Sequence, residues 1–207
     1  MRLSRRGTAS IILIAAALAF VGGAMRARSA VVVGGPFALV AANGEAATDL
    51  TYRGKWLLVY FGYTSCPDSC PTALVEIGRT LAALGDDAVK LQPVFITVDP
   101  RRDTVETMQN YLKSFDPRIV GLTGTKEQVQ AVAREYGVYL IARKTGPGPD
   151  QYAVDHSSYL YLMDPEGRFV RGFDAEASAN EITAALRPLI SQPRESAQTG
   201  IAAPKGP

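Results

Sequence analysis

The chain contains two cysteines, Cys66 and Cys70, and a single histidine, His156. The cysteines are four residues apart, so one turn of helix brings their sulfurs to the same side. Two thiolates so placed close into a disulfide or hold one soft metal ion. An imidazole added to them makes a set suited to copper in either oxidation state, or to zinc. Three protein ligands also leave a position open for exchange. Against this, an exported cysteine pair is more often a disulfide or redox pair. A lone histidine is commonly a packed or surface residue. The residues alone leave metal binding and thiol–disulfide chemistry both open.

The elements that must position these residues start with Trp56–Phe61, six apolar or aromatic residues that suit a strand covered on both faces. Gly62 ends the run, Thr64-Ser65 make a polar turn, and Pro67 and Pro71 fit the first turn of a helix. Leu74, Ile77, Leu81 and Leu84 continue it at helical spacing. A helix start favours thiolate over thiol, through its unpaired amides and dipole, and so favours ionisation of both cysteines. Upstream, Phe37–Val40 and Asn43-Gly44 predict a short hairpin. Downstream, Leu91–Val98 reads as a second apolar strand ending at Asp99-Pro100. Asp103 with Glu106 predicts the cap of a helix reaching about Phe115, and Thr125 with Gln128 a capping box for a helix to about Tyr136. Ile119–Leu122 and Val138–Ala142 read as short extended segments. Gly146–Asp150 is a loop tip by composition. Ser157–Met163 and Arg168–Phe173 form a hairpin around Asp164-Pro165-Glu166-Gly167, which places His156 just before a strand. Ser178 and Glu181 start a last helix, Ala179 to about Ile190. Alternating strands and helices, closed by a hairpin and one more helix, predict an α/β sandwich with a mixed central sheet. The cysteine turn lies at the carboxyl end of its strand, where such sheets bind ligands.

At 207 residues and 47% hydrophobic content the chain fits one domain plus tails. Its formal charge of +2 becomes −3 once the five arginines of residues 1–30, a stretch without acids, are set aside. The basic balance therefore belongs to the N-terminus, and no basic patch interleaved with aromatics points to nucleic acid. From Gly7 to Met25 run 19 uncharged residues, enough to span a bilayer and longer than the usual signal-peptide core. Residues 1–30 read as a membrane anchor or signal segment, the length favouring an uncleaved anchor. Residues 31–190 then form the domain, outside the cytoplasm, and 191–207 a disordered tail.

Four separated motifs, in order, resemble the Sco (SenC-type) family of cytochrome oxidase assembly proteins. They are Tyr60-Phe61-Gly62-Tyr63-Thr64-Ser65-Cys66-Pro67-Asp68-Ser69-Cys70-Pro71-Thr72, then Phe95-Ile96-Thr97-Val98-Asp99-Pro100-Arg101-Arg102-Asp103-Thr104, Gly121-Leu122-Thr123-Gly124-Thr125, and Val154-Asp155-His156-Ser157 with Tyr161-Leu162-Met163-Asp164-Pro165. The resemblance spans about Gly35 to Phe173, and an N-terminal anchor is usual in the family. It implies a thioredoxin-like fold with Cys66, Cys70 and His156 as ligands for Cu(I) and Cu(II). It further implies delivery of copper to the CuA centre on subunit II of cytochrome c oxidase, with thiol-reductant activity as a second role. That makes the protein a metallochaperone rather than a turnover enzyme, located in the periplasm or intermembrane space. A Cys66–Cys70 disulfide would be its empty state, reopened by a thioredoxin-like reductant. The departures are Ala41-Ala42, where an acid is common, and Val105, where proline is frequent; neither touches the ligand set.

Asp155 is a candidate for orienting His156, with a strand-end cap as its plain alternative. Asp99 and Asp103 are read as turn and cap residues, Tyr60 and Phe61 as core, and Tyr63 as a possible flank of the metal. Two rivals remain. In a thiol–disulfide oxidoreductase of thioredoxin kind, two residues rather than three separate the cysteines, and a proline faces them where His156 precedes the strand here. A peroxidase needs an arginine beside a thiolate, and nothing singles out Arg101, Arg102 or Arg143 for that role.

Overall fold

The computed structural model describes residues 33–191. The anchor and tail read from the sequence, residues 1–30 and the stretch after Ser191, lie outside them. Among the described residues no helix is long and apolar enough to cross a membrane.

The described chain begins with the expected hairpin, β1 (Ala38–Ala41) and β2 (Ala46–Thr48), turned at Gly44 with φ +87°, a backbone state that favours glycine. Then come β3 (Trp56–Gly62), α1 (Ser69–Leu84), β4 (Leu91–Thr97), α2 (Val105–Leu112), β5 (Val120–Thr123) and α3 (Lys126–Glu135). A second hairpin, β6 (Leu140–Lys144) and β7 (Tyr152–His156), precedes β8 (Tyr159–Met163), β9 (Phe169–Asp174) and α4 (Ala179–Ile190).

Seven strands form one mixed sheet in the order β2-β1-β5-β4-β3-β8-β9. β3, β4 and β5 run parallel, while β1 and β8 join them antiparallel. β3 is buried from Leu57 to Gly62, which is why its sequence is a continuous apolar run rather than an alternating one. Its side chains still divide by face. Leu58 and Tyr60 pack with Leu74, Ile77 and Leu81 of α1 and Ile182 and Leu186 of α4. Leu57, Val59 and Phe61 pack with Leu39 of β1 and Val129 and Val132 of α3. This is the predicted sandwich.

Two local expectations need correction. The helix after β4 is capped by Thr104, whose hydroxyl accepts from the Thr107 amide, and not by Asp103. Asp103 is instead fully buried, accepting from the Thr64 amide (3.0 Å), the Thr64 hydroxyl (2.6 Å) and the Thr97 hydroxyl (2.6 Å). Either residue type can cap; the interior demand of three donors claims Asp103 and leaves the role to its neighbour. The second departure is β7. His156 closes this strand, and β8 starts only at Tyr159. β7 pairs with β6 alone, Leu140 opposite His156, as a two-stranded sheet separate from the seven. The alternation Tyr152, Val154, His156 was the available signal, shortened by the Gly-Pro loop beside it.

Candidate metal centre

Gly62 ends β3 where a side chain has no room. A Cβ there would lie 2.6 Å from the Phe95 ring and 2.8 Å from the Cys70 sulfur. The chain then turns, the Cys66 amide donating to the Tyr63 carbonyl at 3.2 Å, and α1 starts at Ser69. Cys66 thus precedes the helix, Cys70 is its second residue, and Pro71 occupies a first-turn position whose amide would lack an intrahelical partner.

Asp68 stands at the N-cap without a side-chain capping bond. The Cys66 sulfur takes that place. It accepts from the Cys70 thiol, from Ser69 Oγ at 3.4 Å, and from the amides of Asp68 and Cys70. Against the opposing effect of partial burial, these donors hold the Cys66 thiol down to about 4, the Cys70 thiol contributing most. Cys70 behaves oppositely. It is wholly buried, and donating to Cys66 together with burial pushes its thiol well up, although the Tyr60 hydroxyl (3.5 Å) and the Tyr63 amide donate to its sulfur. The expectation that the helix start ionises both cysteines therefore holds for one only, because capping groups reach a sulfur outside the helix and not one inside the core. Both cysteines are free thiols.

His156 is 8% exposed, and its Nδ1 lies 2.9 Å from the Ser157 carbonyl oxygen. A carbonyl only accepts, so Nδ1 carries the proton and Nε2 keeps the lone pair a metal would need. The imidazole stands edge-on to Tyr63, ring centroids 6.1 Å apart. Tyr63 touches all three residues: its ring meets His156, its carbonyl accepts from Cys66, and its amide donates to Cys70. The imidazole reaches the thiol turn through Tyr63 and is not gathered with the two sulfurs. Among the described residues no group of three or more His, Cys, Asp or Glu side chains is gathered closely enough to hold a metal.

Asp155 faces the other way. Successive strand residues point to opposite sides, and its exposed carboxylate pairs with Arg143 at 3.0 and 3.2 Å, a bond that lowers its pKa. The group on the imidazole Nδ1 is the Ser157 carbonyl. The three arginines weighed from the sequence are each engaged by a carboxylate, Arg101 by Asp150, Arg102 by Asp99 and Arg143 by Asp155. Sequence reasoning missed Tyr60 as a neighbour of Cys70. Its signal was a hydroxyl-bearing ring within an otherwise apolar buried strand, since a buried phenol normally finds a polar partner.

Comparison with known proteins matches residues 25–191 to the SCO1/SenC family. The human mitochondrial SCO1 homolog is 43% identical over 160 residues, covering 74% of this chain and 52% of that protein. The chain spans about half the length of the first curated relatives it matches. Among solved structures, Bradyrhizobium japonicum ScoI with copper bound superposes with a TM-score of 0.70 at 47% identity, covering 75% of this chain and 98% of that one. BsSco, described as a member of the Sco family of cytochrome c oxidase assembly proteins with a disulfide switch, shares the fold at a TM-score of 0.62 and 17% identity, over 78% of this chain and 95% of its own.

Proposed function

Since the chain belongs to the SCO1/SenC family, we propose that it is a copper metallochaperone that binds one copper ion through Cys66, Cys70 and His156. In this reading it passes the ion to the CuA centre of cytochrome c oxidase subunit II, and residues 1–30 hold the domain at a membrane, outside the cytoplasm. The copper-bound Bradyrhizobium relative supports the cargo. The observation that carries the reading is the thiol turn: two free sulfurs one helical turn apart, the Cys66 thiol held below its ordinary range by the donors around it, with the imidazole against Tyr63 and its Nδ1 on a carbonyl, which leaves Nε2 for a metal. Two thiolates suit Cu(I), and the imidazole makes Cu(II) tolerable in the same site. Gathering the three ligands requires His156 and the thiol turn to approach one another.

The test is titration of the reduced full chain with Cu(I) and with Cu(II), alongside Cys66→Ala, Cys70→Ala and His156→Ala. One copper per chain is expected, lost with either cysteine and weakened for Cu(II) without the histidine. Unchanged Cu(II) affinity and spectrum in His156→Ala would sink the three-ligand site.

The unequal thiols favour a second role in thiol–disulfide exchange. The Cys66 thiolate attacks a substrate disulfide, giving a mixed disulfide and releasing one substrate sulfur as thiolate. Cys70, losing its proton to that thiolate or to solvent, then attacks Cys66, forming the Cys66–Cys70 disulfide and releasing the second substrate sulfur. The substrate is reduced by two electrons, and a thioredoxin-like reductant must restore the pair. Rapid turnover of a disulfide substrate that survives loss of His156 would make this role primary.

A further inference from the structure

The arm that carries His156 shares no strand pairing with the main sheet, so something else must hold it against the thiol turn. Apolar packing holds part of it, Val154 lying buried in one cluster with Tyr63 and Val98, and Leu140 and Tyr152 packing against them; the polar contacts converge on one side chain, Arg102, in the loop after β4. Its Nε donates to the Asp99 carboxylate, and its Nη1 donates to the carbonyls of Asp150 (3.1 Å) and Tyr152 (2.9 Å), where β7 begins. The guanidinium lies 3.8 Å from the centroid of the Tyr152 ring and 5.6 Å from that of Tyr63. Tyr152 returns to the same anchor, its hydroxyl donating to Asp99 at 2.7 Å. Asp99 itself is buried, with its amide donating to the Thr97 hydroxyl. Thr97 donates in turn to Asp103, which holds both the amide and the hydroxyl of Thr64 in the thiol turn.

We infer that Arg102, with Asp99 and Tyr152, is a positioning device for the histidine: it pins the turn end of the β6–β7 arm, opposite the end that carries His156, to the loop that also braces the cysteine turn, and so sets how readily His156 reaches the thiols. This rests on the copper reading above. The geometry suits arginine in particular. A planar guanidinium can stack between two rings while its edge donates to three oxygens, which a lysine ammonium cannot do. Arg102 touches neither sulfur nor imidazole in the contacts described. It acts through Tyr152 on one side and Tyr63 on the other.

The test uses the reduced full chain. Amide exchange is followed across residues 139–156 in the metal-free wild type, Arg102→Gln, Arg102→Lys and the milder Tyr152→Phe, which keeps the ring and removes only the bond to Asp99. Cu(I) and Cu(II) affinities are then measured for wild type, Arg102→Gln, Arg102→Lys, Tyr152→Phe, His156→Ala and the Arg102→Gln/His156→Ala double variant. Exchange across the arm is expected to quicken about tenfold or more in Arg102→Gln, with Cu(II) affinity falling about tenfold and Cu(I) affinity holding within about twofold. Tyr152→Phe should move both in the same direction by less, and Arg102→Lys should resemble Arg102→Gln. In the His156→Ala background the Arg102 effect on Cu(II) should vanish. Unchanged exchange in all three arm variants would overturn the inference, as would equal losses for Cu(I) and Cu(II), or an undiminished loss without His156. A wild type that binds no copper would instead refute the copper reading, while the exchange data would still judge the latch.

Discussion

The sulfur of Cys66 caps the helix that carries Cys70, accepting from the Cys70 amide and from the Cys70 thiol. One cysteine therefore gains ionisation at the other's expense. In the reduced chain Cys66 should react with iodoacetamide at a nearly constant rate until the pH falls towards about 4. Cys70 should be modified slower by about 100-fold or more. Peptide mass spectrometry reads both; equal labelling would refute the asymmetry. The linkage sign follows from the lowered pKa. Stabilisation by the Cys66 thiolate is fully present above the free-thiol range and is lost as pH falls through about 4. Removing the cap with Cys66→Ala should cost about 1 kcal/mol in denaturant unfolding at neutral pH.

Copper binding should carry the same asymmetry into its pH dependence. At pH 7 Cys66 has already lost its proton, while Cys70, raised by its bond to Cys66 and by burial, has not. Loading then releases about one thiol proton, and Cu(I) affinity climbs about tenfold per pH unit near neutrality. Competition titrations at several pH values read the slope; a slope of two would mean that both thiols start protonated.

Tyr60→Phe removes the buried hydroxyl that donates to the Cys70 sulfur at 3.5 Å. The thiol of Cys70 loses a donor that favours its ionised form and is pushed further up. Cu(I) affinity at pH 7 is expected to fall about 3- to 10-fold, in line with the worth of one such bond, with Cys66 labelling unchanged. Affinity indistinguishable from wild type would show that the phenol only packs.

Gly62→Ala places a methyl against the Phe95 ring and the Cys70 sulfur, both at less than normal contact distance. Neither neighbour is a flexible chain end at the surface, so the core must shift. About 1–3 kcal/mol of stability should be lost, together with slower closure of the Cys66–Cys70 disulfide. Thermal unfolding and timed oxidation read the two effects separately.

Asp103→Ala leaves the donors of Thr64 and Thr97 without their buried acceptor. Calorimetry should show a loss of about 2–3 kcal/mol, far above what an exposed helix cap would give. Burial raises the Asp103 pKa against these bonds. The folded chain thus favours the neutral acid, a preference that helps below the ordinary carboxyl range and fades as pH rises through the raised value. Asp103→Asn should flatten this part of the stability–pH curve.

The layers were legible because β3 is an uninterrupted apolar run and the helices carry their caps in the sequence, Thr125 with Gln128 and Ser178 with Glu181. The chemistry was legible in part. Spacing made Cys66 and Cys70 partners, but not which sulfur would hold the charge, since that depends on one lying before the helix and the other in the core. Neither the placing of Asp103 in the interior nor the pairing of Asp155 with Arg143 was legible, for a shared reason. A carboxylate's role is set by the side of its strand or loop that faces inward, and a single residue of offset reverses it. Arg102 was visible only as one of three candidate arginines, because its ring partners, Tyr63 and Tyr152, lie far from it in the chain.

The β6–β7 ribbon is separate from the seven-stranded sheet, so His156 stands on an attachment rather than on the frame. Replacing the side chain at its open end by a carboxylate or a thioether alters hardness and charge beside Tyr63 without unzipping a rung of the main ladder. Metal preference in such a scaffold can drift, or be engineered, largely independently of the capacity to fold.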